Sequence, residues 1–137
     1  MFEDVKVNVK IKLSALWVTV MFFFLYADVL NFYHPGTLEE IKAGLIVGIP
    51  INQVSLLGSA ILMAIPSVMV FLSLTLKAKA NRWANIIVGA VYAFLGFSEI
   101  IDQAVDPWAY RILMPLLRVV FSALIVWHAW KWPKQEG

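Results

Sequence analysis

Apolar residues fall in four long runs separated by short polar stretches. Residues 13–33 ("LSALWVTVMFFFLYADVLNFY"), 54–76, 83–104 and 109–131 each hold enough apolar side chains to cross a bilayer as a helix, for which about 20 mostly apolar residues suffice. The pattern predicts an all-α polytopic membrane protein, one domain over residues 1–137 with four transmembrane helices. The longest connection is "HPGTLEEIKAGLIVGIPINQ", between the first two runs. His34-Pro35-Gly36 is a turn signal. Thr37 followed three residues later by Glu40 matches a capping box, so a helix is expected to start near Leu38. Leu38, Ile41, Leu45 and Ile46 would share its apolar face, and Gly48 and Pro50 would end it. This predicts a short amphipathic helix lying on the membrane surface in the first outer loop.

Composition strengthens the membrane reading. The chain is 61% hydrophobic and 15% charged, with a mean hydropathy of +0.79; soluble domains average about 45–50% apolar and about 25% charged residues. The first run is too long for a cleavable leader, starts from an acidic "MFED" and lacks a small-x-small cleavage step, so it is expected to be retained. Cysteine is absent, which removes disulfides, thiol catalysis, iron–sulfur ligation and thiolate zinc sites. The net charge is +2, and the basic residues sit at the edges of the runs, not in a stripe suited to nucleic acid.

Those edges are asymmetric. Lys6, Lys10, Lys12, Lys77, Lys79, Arg82, Lys131 and Lys134 flank one side, while only Lys42 and Arg111 flank the other, against Glu39, Glu40 and Asp106. The positive-inside rule then puts both termini in the cytoplasm, in agreement with an even number of spans. Trp83, Trp127, Trp130 and Trp132 fall at the cytoplasmic interface as aromatic anchors, and Tyr33, Trp108 and Tyr110 at the outer one.

The candidate chemistry lies in charges within the runs. An ionisable side chain in a spanning helix costs about 2.5–3.5 kcal/mol on insertion scales and needs a partner or water. Asp28 and Glu99 each lie about five residues, roughly 7–8 Å, from the outer end of their helices, and Arg118 about nine residues, roughly 13 Å. Helical side chains lean toward their own N-terminus, which carries the guanidinium of Arg118 outward to the level of both acids. Asn85, Tyr92, Glu99 and Asp106 recur every seven residues on the third helix, as Arg111 and Arg118 do on the fourth; Ser14, Trp17, Met21, Asp28 and Asn31 line one side of the first. The acids of the third helix and the arginines of the fourth are expected to satisfy each other across the bundle interior. The expectation is a polar core of Asp28, Glu99 and Arg118, with Asn31 and Tyr92 as hydrogen-bonding neighbours and Asp102 and Arg111 nearer the surface. Two deep acids and one deep base leave a surplus negative charge, to be met by a proton, a bound cation or water.

Elsewhere the residues point to packing and anchoring. Pro66 interrupts the second helix. Ser55-x-x-x-Ser59 and Ala60-x-x-x-Ala64 on that helix, and Gly89 and Gly96 on the third, permit close approach between helices. Asn81 is placed to cap the third helix, Arg82 to meet lipid phosphate and Trp83 the headgroup layer. His34 and His128 fall on opposite sides of the membrane and cannot both ligate one haem. No metal-ligand set, nucleophile–base pair or phosphate loop occurs, so no catalytic residue, metal or cofactor is expected.

"ILMAIPSVMVFLSLTLKAKANRWANIIVGAVY", preceded by "LSALWVTVMFFFLYADVL" and followed by "VVFSALIVWHAWKWP", resembles an uncharacterised family of small bacterial inner-membrane proteins with four helices. The resemblance covers nearly the whole chain. Asn81-Arg82-Trp83-Ala84-Asn85-Ile86-Ile87 is its most specific element, supported by Tyr26-Ala27-Asp28 and the Trp127–Trp132 block. In that family an acid often precedes the Ile-Pro step of the second helix; here Ala64 stands there. The layout also looks like the DoxX-like group of four-helix membrane proteins, some linked with quinone-dependent oxidation, a likeness of fold alone. The resemblance implies the bacterial inner membrane and no established activity.

Two functions follow as expectations. One is a binding or transport protein with a charged intramembrane pocket near the outer face, taking a small solute, cation or proton, with a homodimer needed for transport because four helices make a thin bundle. The other is a structural or accessory subunit whose charged cluster fixes helix packing or meets a partner membrane protein. The bilayer is the common partner of both.

Overall fold

The computed structural model describes residues 1–105 and 107–134. In chain order it holds α1 (Val9–Phe32), α2 (Thr37–Lys42), the antiparallel strands β1 (Leu45–Ile46) and β2 (Ile49–Pro50), α3 (Gln53–Thr75), α4 (Ala78–Asp102), a single 3-10 turn at Gln103–Val105, and α5 (Ala109–Trp130). The protein is all-α apart from the small hairpin, and α1, α3, α4 and α5 are each long and apolar enough to cross a membrane.

Two of the helices, α1 and α4, start well before the apolar windows that predict them. α1 starts four residues early because the side chain of Asn8 caps it, accepting the Lys10 N–H at 2.8 Å. α4 starts at Ala78, five residues before Trp83, since Ala78, Lys79 and Ala80 are good helix formers whatever their polarity. Asn81 therefore lies inside the helix and does not cap it. The connection after α1 departs further from expectation. Gly36 takes the N-cap position in the left-handed conformation (φ 89°) and makes no side-chain cap; Thr37 is already helical, so the expected capping box does not form. α2 stops at Lys42, and Gly44 (φ 83°) reverses the chain. Ile46, Val47 and Ile49 are β-branched and favour the extended chain, so Leu45 and Ile46 enter a strand and do not continue a helical face. Val47 (φ 50°) and Gly48 (φ 75°) are the central residues of the hairpin turn, both in the positive-φ geometry of a type I′ turn. A capping box does form downstream: Asn52 and Ser55 bond each other's backbone N–H groups at the start of α3, both at 2.9 Å.

α1 is the centre of the bundle, packed on α3 along one side and on α5 along another, and α5 packs in turn on α4. α3 and α4 are consecutive but make few contacts. Leu13, Trp17, Val20 and Phe24 are the buried seam of α1; Pro115, Arg118, Ser122, Ile125 and Ala129 are that of α5. Both follow the three-and-four spacing of one helix face. The α4 seam is Asn81, Asn85, Gly89, Tyr92 and Gly96. Its glycines bring α4 against α5 as expected: a Cβ at Gly89 would lie 3.0 Å from Val126 Cγ2, and one at Gly96 2.8 Å from Val119 Cγ2. The small residues of α3 do not act likewise. Ser59, Ala60 and Ala64 are exposed, and the buried residues of α3 (Pro66, Met69 and Ser73) all lie in its second half. The bundle is thus closed at the end carrying the chain termini and looser at the end carrying the hairpin.

The close α4–α5 approach generates a prediction. Gly96→Leu forces Val119 and the Pro115 carbonyl aside, an overpacking that costs about 1–3 kcal/mol, and is expected to lower the melting temperature of the purified protein by circular dichroism. Gly58→Leu, with nothing within 4 Å of the new Cβ, is expected to leave it unchanged; equal effects at the two sites would refute this packing.

Candidate functional site

Charges inside the spans separate into two places. Arg118, 4% exposed, donates from Nη2 to Glu99 Oε2 and stacks its guanidinium 4.1 Å from the centroid of Phe24. The lean of the Arg118 side chain toward the N-terminus of α5 and the seven-residue recurrence on α4 and α5 bring these two together. Glu99 is the outer member of the pair, its side chain 44% exposed. Arg118 Nε and Ser122 Oγ, one turn apart, are buried without a protein partner among the described residues.

Asp28 does not join them. It forms no ion pair or hydrogen bond with Arg118 among the described residues, and its side chain is exposed. The reason is angular. Trp17 and Phe24 share the α1 seam, but Ser14, Met21 and Asp28 flank it on the side of α3: Ser14 Oγ donates to Val70 O at 2.9 Å, and Met21 and Asp28 line a groove with Met63, Ser67 and Val70. The opposite flank faces α5, where Phe23 meets Phe121 at 5.6 Å between ring centroids. Asp28 follows Phe24 by four residues, about 40° round the helix, so it opens toward α3 while staying near the pair. Within the expected three-residue charged core, Arg118 and Glu99 form the ion pair, and Asp28 stays within electrostatic reach of both without bonding either.

Asp28 opens instead into a cavity of about 390 Å³ at the hairpin end. Its polar wall is Asp28, Asn31, Thr37, Glu40, Ser59 and Arg111; Phe32, Ile41, Leu45, Leu56, Leu62 and Met63 are among the apolar remainder. α2 and the hairpin cover it. Among the described residues Arg111 forms no ion pair with an acid of α4: its Nε donates to Asn31 Oδ1 (3.4 Å) and to Tyr110 Oη (3.1 Å), while Tyr110 Oη donates to Asn31 Oδ1 at 3.0 Å. Arg111 and Asp28 thus face one cavity without an ion pair between them. His34 packs edge-on against Trp108, 4.5 Å between centroids, at the same end. Asp102 is the exposed last residue of α4 and does not line the cavity. Asp106 lies outside the described residues.

Tyr92 has a different role from the one its spacing predicts. Pro66 has no N–H, which leaves the carbonyl of Leu62, four residues earlier, without its helical donor. Tyr92 Oη supplies one at 2.6 Å, from α4 across to α3. Its ring is held edge-on by Trp17 (6.0 Å) and Phe24 (5.9 Å). Tyr92 is a structural tie, one helix turn below the cavity that Leu62 lines.

Sequence reasoning missed a buried amide network at the termini end. Trp17, 0% exposed, donates from Nε1 to Asn85 Oδ1 at 2.7 Å, and Ser73 Oγ reaches the same oxygen at 3.3 Å. Asn85 Nδ2 donates to Asn81 Oδ1 (2.6 Å), and Asn81 Nδ2 to Ser73 O (2.7 Å). Asn85 already headed the heptad stripe on the third span, and that was the available signal. Arg82 does not reach outward for lipid: Nε and Nη2 donate to Ala129 O (3.1 Å) and Trp130 O (3.3 Å), closing the C-terminus of α5, with the guanidinium 5.3 Å from both the Trp83 and Trp130 rings. Lys10 Nζ closes α3 in the same way, at 2.9 Å from Leu76 O. Cations at helix C-termini complement the macrodipole.

Four helices long and apolar enough to cross a membrane, packed around the Arg118–Glu99 pair, with an amphipathic cavity at one end, define a small polytopic membrane protein. All of residues 1–137 match the family of unknown function DUF6326, and the protein belongs to that family. No curated protein and no solved structure matches the chain.

Two outcomes test this geometry. Tyr92→Phe is expected to destabilise by about 1 kcal/mol, the worth of one hydrogen bond, in thermal melts. In a Pro66→Ala background the backbone N–H restored at that position serves the Leu62 carbonyl, and the same change is expected to cost almost nothing. Arg118→Leu strands Glu99 within the span and is expected to cost about 3–5 kcal/mol, as breaking a pair from one side does, visible as loss of monodisperse protein by size exclusion. Adding Glu99→Gln is expected to recover most of it; no recovery would mean that the pair is not what holds α4 to α5 there.

Proposed function

We propose that this is a bacterial inner-membrane protein with both termini in the cytoplasm, which binds a small charged solute in the cavity beneath the hairpin, from the outer side. The observation that carries the reading is the cavity itself. It gathers two carboxylates, a guanidinium, an amide and two hydroxyls in one concave apolar site, the composition by which small-molecule sites fix orientation and specificity. Asp28 and Arg111 face it without spending their charges on each other. The orientation rests on the distribution of Lys and Arg between the two ends. Transport across the bilayer would take two copies, because a single four-helix bundle leaves no second wall for a path. A structural role accounts for a different part of the molecule: the Arg118–Glu99 pair, stacked on Phe24, serves packing, and this reading assigns it no solute.

The chain has no cysteine, so single reporters are clean. Cysteine at Glu39 is expected to react with an impermeant maleimide on intact cells, and cysteine at Lys134 only after lysis. In detergent, a panel of small amines, carboxylates and inorganic cations is screened by thermal shift. At least one solute is expected to stabilise the wild type, while Asp28→Asn and Arg111→Gln keep the fold but lose the shift. A shift that survives both substitutions would place the solute elsewhere and defeat the proposal.

A further inference from the structure

The cavity under the hairpin has a neighbour. A second groove, about 430 Å³, runs along the membrane-facing side between α1 and α3, lined by Val18, Met21, Phe22, Leu25, Met63, Ser67 and Val70. It shares Asp28 and Met63 with the cavity. Both spaces therefore meet at one carboxylate, which sits four residues inside the end of α1. The groove is open on the side of the bundle, where Val18, Phe22, Leu25 and Ser67 are exposed.

From this junction we infer that the ligand of the proposed site is a cationic amphiphile, a single ammonium or phosphonium charge on an apolar body, which reaches Asp28 sideways from the leaflet at the hairpin end. The inference rests on the binding role proposed above and adds the class of ligand and its route. Three observations carry it. The first is charge. Asp28 and Glu99 are two acids within reach of one base, and Arg118 is committed to Glu99. The surplus negative charge thus stands on Asp28, which has no ion-pair partner among the described residues. Around the hairpin-end cavity Asp28 and Glu40 stand against Arg111, whose hydrogen-bond partners Asn31 and Tyr110 are neutral, so one negative charge is left over there. The second is surface. The groove leading to Asp28 is apolar, with Phe22 on its wall, which suits an alkyl or aryl body and a cation beside an aromatic ring. The third is exposure at depth. A carboxylate facing the side of the bundle within a span is unfavourable in hydrocarbon unless something polar or cationic meets it. A hydrophilic cation would have no use for the lateral groove, and a neutral lipid chain none for Asp28; a cationic amphiphile uses both.

The experiment uses the full chain in nanodiscs with radiolabelled tetraphenylphosphonium as probe. Saturable binding is expected. Asp28→Asn is expected to weaken it by about tenfold or more, equivalent to roughly 1.4 kcal/mol or above. Ser67→Trp, which fills the groove from an exposed position, is expected to weaken it with Asp28 intact. Tetraphenylborate, of matched shape and opposite charge, and tetramethylammonium, of like charge without the apolar body, are expected not to compete. Helical circular dichroism and monodisperse nanodiscs verify that each variant is folded. Equal competition by tetramethylammonium, or full affinity in Ser67→Trp, overturns the lateral amphiphile while leaving a pocket for a solute from the aqueous side. Absence of tetraphenylphosphonium binding in a protein that still shows an Asp28-dependent thermal shift with a hydrophilic solute does the same. Absence of both effects overturns this inference and the binding role together.

Discussion

Inside a bilayer no water is at hand to satisfy a stray polar group, and that constraint organises this protein. Lipid tails are as apolar as leucine, so burial of apolar surface gives little reason for spans to associate; small-residue packing and hydrogen bonds between helices take over. The contacts that join the helices here are of those kinds. Pro66 frees the Leu62 carbonyl, and Tyr92 crosses from α4 to meet it. Trp17 on α1, Ser73 on α3 and Asn85 on α4 converge on one amide oxygen. Arg82 closes α5, Lys10 closes α3, and Gly89 and Gly96 let α4 lie against α5. These polar groups, which a helix cannot satisfy by itself, become links to a neighbour.

The links are unevenly distributed. The amide network, both basic caps and the buried half of α3 all lie toward the termini end. Toward the other end α3 has no fully buried residue, its small residues look outward, and the space between α1 and α3 is left to the cavity, roofed by α2 and the hairpin. A tight half that sets the geometry and a loose half that holds space suit the proposed binding role, since elements that open are drawn from the less stable part of a fold. Tyr92 marks the border, because Leu62 presents its carbonyl to Tyr92 and its side chain to the cavity.

Asp28 is where the organising rule is broken. The other deep acid, Glu99, has its arginine, and even that arginine has an aromatic face beneath it. Departures of this sort are expected at functional positions, where stability yields to a ligand. The proposed binding role and the proposed ligand class both grow from that single exception.

Much of this was legible in the chain itself. The four spans, the interruption at Pro66, the Gly89–Gly96 seam and the Arg118–Glu99 pairing follow from hydropathy, from spacing and from the N-terminal lean of helical side chains, all of which are local or periodic. The hairpin was missed because Gly44 and Gly48 act through backbone angles that the apolar pattern Leu38, Ile41, Leu45 does not report. That Asp28 lines the α3 side without bonding Arg118 was not legible, because Ser14, Met21 and Asp28 border two neighbours, and only the arrangement of the bundle says which one they face. The roles of Tyr92, Asn85 and Arg82 were hidden for a similar reason: their partners are carbonyls and amides on other helices, and a sequence records donors and acceptors but not the distances between helices. What a residue contributes to its own helix could be read in advance; what it meets on the next helix was decided by packing.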